Sequence, residues 1–386
     1  MKEFSKSFFN YSFANVLSLV LGLFLLFILS TKLEPQIYGE YGFYISIFSI
    51  LLVLINWGSK ERIYRFALKY KATPKEFMKK QVSICNFILI IFLPLVFVNV
   101  ALYAVILFSA LFSIFQCNCF LERGRSHFFK DAMATPIYRL LISFIIVGLL
   151  FCMGSENIKV SHLIFASCFC IFIVNVFFLK VPTSFFLKPI KIPKWNFFIA
   201  IELISIAYLK VDVIIGSFLL GFEQIASYFF SIQVFEAVLV LLLPICHIFI
   251  GKVKRNSSPH YELKYALMVV AITLFGLSVF LLIGDYFINA WLPHYQNAFY
   301  FIAALIVVAG IATLNSFYSM LLILKNKERV YFKIVLYCFT GYIVITPPLA
   351  LFYSVKGLVI GKLLIETLIF VGTFICYRQL NNENCL

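Results

Sequence analysis

Five ionisable residues sit in stretches otherwise too apolar to hold them: Lys210 and Asp212 in LKVDVIIG, Glu236 in SIQVFEAVLVLLLP, and Lys362 with Glu366 in GKLLIE. Ammonium and carboxylate groups in such surroundings can bind and release a charged ligand, or they can pair and satisfy one another. Each charge near the centre of a bilayer costs about 2.5–3.5 kcal/mol on the insertion scale, and each Leu, Ile, Phe or Val returns about 0.3–0.6. The stretch 197–219 holds 14 such apolar residues. They return roughly 6 kcal/mol, and Lys210 with Asp212 offsets about the same amount. These charges must therefore face protein or water rather than lipid.

Spacing narrows the pairings. Lys210 and Asp212 lie two residues apart, hence about 200° around a helix, and cannot pair with each other. In an antiparallel hairpin turning near 220–224, Lys210 and Glu236 differ in depth by about 3 Å, within reach of a lysine. The spacing therefore predicts an ion pair between them. Lys362 and Glu366 are placed i, i+4 and can satisfy one another. Other apolar runs carry polar faces at helical spacing: Tyr11, Asn15, Ser18 and Gly22; Gly42, Ser46, Ser49 and Asn56; Ser109, Ser113 and Gln116. Small and weakly polar residues let membrane helices approach closely, whereas Asn15, Asn56 and Gln116 point to a wet interior. The candidates for a substrate cavity are thus Lys210, Asp212, Glu236, Asn15, Asn56 and Gln116. The candidates for coupling to an ion are Asp212, Glu236 and Glu366, which could equally be structural counter-ions.

Nothing accompanies these residues that would make an enzyme. The ten cysteines include no C-x-x-C pair, and no histidines stand at ligand spacing, so neither a metal nor a cofactor is expected. A Gly-rich phosphate loop, G-x-S-x-G and H-E-x-x-H are all missing from the sequence, and no catalytic residue is expected. The segments predicted to lie outside are short, the longest near 284–296, which leaves little room for the active site of a membrane glycan polymerase.

The elements that position the charges follow from composition. The chain of 386 residues is 63% hydrophobic and 13% charged, where soluble domains run nearer half and a quarter. Apolar runs long enough to cross about 30 Å of hydrocarbon recur throughout. Twelve spans are read, near 11–31, 38–57, 81–98, 101–121, 137–153, 161–179, 197–219, 225–250, 265–283, 297–324, 334–352 and 357–377. The run 82–121 would be about 60 Å long as one helix, so it must fold back near 94–99. A second tip is expected at 352–357. The fold class is all-α integral membrane, with the full-length first run reading as a span and not as a cleaved signal.

Charge then sets the orientation. With both termini cytoplasmic, 27 of the 32 Lys and Arg fall in cytoplasmic segments. Lys32, Lys159 and Lys356 face the other side, and Lys210 and Lys362 lie within spans. The net charge of +15 therefore encodes topology and contact with anionic membrane lipids, not nucleic-acid binding. The basic stretch 60–80, with Ile63, Tyr64, Phe66, Leu68 and Tyr70, reads as an amphipathic surface helix.

The halves are related. At an offset of 187 residues, Leu33, Tyr41, Phe43, Ile45, Phe48, Leu52 and Leu54 meet identical residues in the second half. Transporters are often built from such repeats. The organisation expected is an N-terminal six-helix lobe over 1–180, a basic cytoplasmic linker over 181–196, and a C-terminal six-helix lobe over 197–386.

These stretches resemble a known family. TKLEPQIYGEYGFYISIFSILLVLINWG is similar to the first hairpin of polysaccharide (O-antigen repeat-unit) flippases of the MOP superfamily, ERIYRFALKYKATPKEF to their basic loop, LKVDVIIGSFLLGFEQIASYFFSIQVFEAVLVLLLP to their seventh and eighth helices, and YSVKGLVIGKLLIE to their last. Glu34 and Phe222 depart from the glycine and proline of the family's two turns. The resemblance implies two six-helix bundles around a central cavity that opens alternately to each side of a bacterial inner membrane. The implied cargo is an undecaprenyl-diphosphate-linked oligosaccharide, with Lys210 supplying cation to the diphosphate. The intramembrane carboxylates would allow coupling to H⁺ or Na⁺, and a glycan polymerase and chain-length proteins are the partners expected. The alternatives are a small-molecule or drug antiporter of the same fold and, ranked lower, a membrane glycan polymerase.

Overall fold

The structure, a computed structural model, describes residues 2–70, 75–125, 127–179, 197–256 and 259–383. Within these, a few side chains, those of 2–12, Asn15 and 251–256 among them, are outside the described set. The expected linker 181–196 lies outside the described residues.

Every regular element among the described residues is helical. The first half holds α1 (Lys2–Lys32), α2 (Pro35–Asn56), α3 (Ser59–Tyr70), α4 (Lys75–Ile91), the one-turn α5 (Leu95–Val98), α6 (Val100–Gly124), α7 (Phe128–Met153) and α8 (Val160–Ile173). The second holds α9 (Phe197–Leu220), α10 (Phe222–Asn256), α11 (Pro259–Trp291), α12 (Ala298–Leu324), α13 (Glu328–Tyr353) and α14 (Val355–Glu383). Among the described residues, ten helices are long and apolar enough to cross a membrane. Ten of the expected spans fall on them. The remaining two, 11–31 and 81–98, fall on α1 and on α4 with α5; α4 has 17 residues.

Local chemistry sets the breaks. The fold-back expected in 82–121 is present: α4 stops at Ile91, Pro94 precedes the single turn of α5, and Asn99 adopts an extended conformation. The Asn99 side chain then accepts a hydrogen bond from the Leu102 N–H at 2.9 Å, capping α6. Such a cap satisfies one of the four amide donors that a helix start leaves over. At the tip between α13 and α14, Ser354 takes φ +53°. Between α9 and α10 the one connecting residue is Gly221, at φ +83°, a conformation that costs glycine little and other residues much. Pro35 and Phe222 open α2 and α10 and lie 187 residues apart. The offset read from the sequence therefore falls on two helix starts.

The chain forms two compact units, 1–199 and 200–386. In the first, α6 is central, touching α2, α3, α4, α7 and α8, while α1 packs along α7. In the second, α12 is central, against α10, α11 and α14. The helix α11 has the highest mean hydropathy of the spans yet leaves most of its surface uncovered, with Phe275, Leu282 and Ile283 all more than half exposed. Apolar surface on that scale needs an apolar solvent. This is a multi-pass membrane protein.

The basic stretch 60–80 is described in two pieces, α3 and the start of α4. α3 ends at Tyr70 and α4 begins at Lys75, with 71–74 outside the described residues. The apolar face of α3 is spent on protein: Ile63 and Ala67 are buried with Met78, Cys117 and Leu121, and Tyr64 meets Phe120 edge-on. An apolar stripe reads the same whether lipid or a neighbouring helix covers it.

Candidate functional site

In the second unit, Gly221 lets α10 turn back along α9, which brings the two helices' mid-sections to the same depth. Lys210 Nζ donates to Glu236 Oε1. Lys210 is nearly buried and Glu236 partly open, their side chains 8% and 28% exposed. The hairpin geometry thus places together the two residues whose depths the sequence matches.

Asp212, on the opposite side of α9, is fully buried. Its Oδ2 accepts hydrogen bonds from Tyr228 Oη on α10 at 2.7 Å, Tyr342 Oη on α13 at 3.1 Å and Lys362 Nζ on α14 at 3.0 Å. Its Oδ1 accepts from the Val213 backbone N–H at 2.8 Å. Lys362, also fully buried, donates in addition to the Tyr208 carbonyl at 3.0 Å. Its ammonium lies 4.3 Å from the Tyr208 ring centre and 5.8 Å from that of Tyr342. One ammonium is held by a carboxylate, a carbonyl and two aromatic faces, the set of acceptors that a desolvated cation requires.

This corrects the pairing of Lys362 with Glu366. The two do face the same side of α14, but the ammonium forms its ion pair across to α9. The reason is electrostatic: Asp212 has only hydroxyl and amide donors otherwise, and a dehydrated carboxylate without a cation is costly. Glu366 is buried beside Tyr208, Lys362 and Asn315. Its Oε2 and the Tyr208 hydroxyl are sealed and lack a well-formed hydrogen bond.

In the first unit, Asn56 and Gln116 meet. Asn56 Nδ2 donates to Gln116 Oε1 at 2.6 Å, and Ser113 Oγ donates to Asn56 Oδ1 at 2.6 Å. Gln81, on α4, extends the network by donating to Ser113 Oγ at 2.7 Å and to the Ile55 carbonyl at 3.0 Å. Sequence reasoning passed over Gln81 because it opens its span and reads as a boundary residue. Asn56 is buried inside this network. Gln116 also borders a cavity of about 260 Å³ lined by Phe112, Phe115, Phe120, Arg123, Asp131 and Thr135 among others. Arg123 Nε donates to Asp131 Oδ2 at 2.8 Å at its rim. The Asn15 side chain lies outside the described residues.

A second residue escaped the sequence reading. Arg139, counted there with the cytoplasmic segments, stands eleven residues into α7. Its Nη1 donates to the Ser18 carbonyl of α1. Gly22, one turn on, provides the space: a Cβ there would collide with the guanidinium.

No family model matches the sequence, and no curated protein matches it. Solved structures do. The lipid II flippase MurJ in an inward closed conformation superposes with a TM-score of 0.71 at 12% identity, covering 95% of this chain and 87% of that one. An inward-facing multidrug resistance MATE family transporter of the MOP superfamily gives 0.69 at 12% identity, over 94% and 96%. An outward-facing structure of such a transporter gives 0.60 at 10% identity, over 98% and 96%. The fold is that of MOP-superfamily transporters. These neighbours are transporters rather than enzymes, and some were captured open to opposite sides. Within this MOP-type fold, the charged cluster belongs to the second unit alone: at the offset of 187, Lys210, Asp212 and Glu236 face Leu23, Leu25 and Ser49.

Proposed function

We propose that this chain is a flippase with twelve transmembrane helices in two six-helix lobes, joined by the basic linker 181–196, with both termini in the cytoplasm of a bacterium. It moves a lipid-linked oligosaccharide repeat unit, on an undecaprenyl-diphosphate carrier such as that of O-antigen, from the cytoplasmic to the periplasmic leaflet of the inner membrane by alternating access. The observation that carries this reading is the fold shared with a lipid flippase over 95% of the chain. The resemblance of both hairpins to polysaccharide flippases and the positive-inside charge pattern support it. Lys210, Asp212, Glu236, Asn56, Gln116 and Asn15 belong to the transport machinery in this proposal, and glycan polymerase and chain-length proteins would take up the product.

Coupling to H⁺ or Na⁺ has a physical basis in the Asp212 cluster. Lys362 is paired with Asp212 and not with the nearby buried Glu366, so Glu366 would need H⁺ or another cation to be neutral. Glu366 is then the coupling carboxylate, since Asp212 already has its cation.

The test is translocation. Proteoliposomes holding the purified chain should expose a lipid-linked oligosaccharide to a lectin on the far side faster than empty liposomes do. The second reading, a drug antiporter, is favoured by the MATE transporters of the same fold. It predicts instead no lipid translocation and increased resistance of cells to cationic dyes.

A further inference from the structure

Three cations stand at membrane depth among the described residues, and two of them are already committed. Lys210 pairs with Glu236, and Lys362 with Asp212. Arg139 is the third, and its described polar partner is a backbone carbonyl, that of Ser18, with no carboxylate. A guanidinium presents five N–H donors in a fixed fork, so most of that fork remains to be filled. The side chain is only partly buried. A cation left in this condition within a span is expensive to keep. Gly22 clears the space in which it lies.

Depth and neighbours identify what would fill it. Arg139 lies fourteen residues before Met153 at the far end of α7. That is about 21 Å along the helix, leaving it about 9 Å inside the cytoplasmic boundary of a 30 Å core. Ala132 and Thr135 precede it on the same face of α7 by seven and four residues, about 10 and 6 Å toward the cytoplasm. Both line the cavity of about 260 Å³, which combines Phe112, Phe115 and Phe120 with Gln116 and Arg123. Arg139 is not itself in the lining, but along α7 the order from the membrane interior outward is guanidinium, then the aromatic and polar cavity. A polyprenyl diphosphate saccharide has the matching order beyond its tail: diphosphate, then first sugar.

Resting on the proposed lipid-linked cargo, we infer that Arg139 is the residue that binds the diphosphate of that cargo on the cytoplasmic side, with its first sugar in the cavity beside Thr135 and Gln116. The role shifts from Lys210, whose ammonium Glu236 occupies. Planar bidentate recognition of phosphate oxygens is what arginine does and lysine does less well.

The experiment uses the purified full-length chain in nanodiscs of phosphatidylcholine, with ligand retention read by native mass spectrometry. The probes are undecaprenyl diphosphate, undecaprenol and phosphatidylglycerol. Wild type should prefer the diphosphate over undecaprenol by at least about tenfold, and Arg139→Ala should lose most of that preference. Phosphatidylglycerol should not displace the diphosphate. Should Arg139→Ala fail to accumulate, Arg139→Lys decides: it keeps the charge without the fork and should weaken diphosphate retention by about tenfold. Undiminished preference in the variant overturns the assignment to Arg139 and leaves the cargo standing. Equal competition by phosphatidylglycerol overturns it in favour of an ordinary phospholipid head group. No preference in wild type overturns the lipid-diphosphate cargo itself, and this inference with it.

Discussion

Lys362 on α14 and Asp212 on α9 are 150 residues apart in the chain and meet at 3.0 Å, both sealed from solvent. Removing one member of such a pair strands the other in a medium that cannot solvate it, at a cost of about 3–5 kcal/mol, whereas replacing both by neutral groups of similar volume can be nearly free. Lys362→Met and Asp212→Asn should therefore each lower the melting temperature in detergent or abolish accumulation. The combination should recover most of the loss. Additive losses in the double variant would show that the two charges do not depend on one another.

The tyrosines around Asp212 should show graded effects. Tyr228 and Tyr342 each donate to the same carboxylate oxygen, and a hydrogen bond to a charged group contributes about 1.5–3 kcal/mol. Tyr228→Phe and Tyr342→Phe should each destabilise measurably in thermal melts, but less than Lys362→Met. The change at Tyr228, whose bond is the shorter, should cost more. Melting curves equal to wild type for both would leave Lys362 as the partner that matters.

How legible these features were depended on which physical constraint fixed them. The twin hairpins could be read because turn residues and apolar runs recur at a fixed offset, and the Lys210–Glu236 pairing because one hairpin fixes relative depth. The partner of Lys362 could not be read that way. It lies on a helix whose approach to α14 is set by tertiary packing, and the local i, i+4 neighbour competes for attention. Arg139 was hidden by its position near the start of an apolar run, where a basic residue normally marks the cytoplasmic margin; α7 begins nine residues before that run. The apolar stripe of α3 was visible in the sequence, but what covers it was not.

Topology can be checked independently of cargo. Reporter fusions after Arg125 and Lys325 should report cytoplasm, and fusions after Glu156 and Pro293 the periplasm. The excess of Lys and Arg on one side drives this orientation. A reversed signal at any two of the four sites would contradict the proposed twelve-span arrangement.

Ion coupling, if it acts through the Asp212 cluster, has a defined signature. Two carboxylates and one ammonium leave room for one more positive charge, and binding of a cation to the folded state stabilises it by mass action. The melting temperature of the purified protein should rise with NaCl relative to N-methylglucamine chloride, or else rise as the pH falls. Glu366→Gln removes the surplus charge and should flatten whichever response is present. A response that survives Glu366→Gln would assign the cation to Glu236 instead.

The Lys210–Glu236 pair is exposed enough on the Glu236 side to be remade during transport. Both residues lie in α9 and α10 at matched depth, and either one alone would stand unpaired within a span. Lys210→Ala and Glu236→Ala should each reduce accumulation or lipid translocation. The double variant should be no worse than either single one, because the second substitution removes the group that the first one stranded. Exchanging the charges, Lys210→Glu with Glu236→Lys, should restore membrane insertion by re-forming the pair with reversed polarity. Translocation separates a structural pair from a moving one: a purely structural pair would recover transport along with insertion in the exchanged variant, while a pair whose partners change during the cycle would recover insertion alone. Losses that add in the double variant would mean that the two residues act independently, whatever their contact in this conformation.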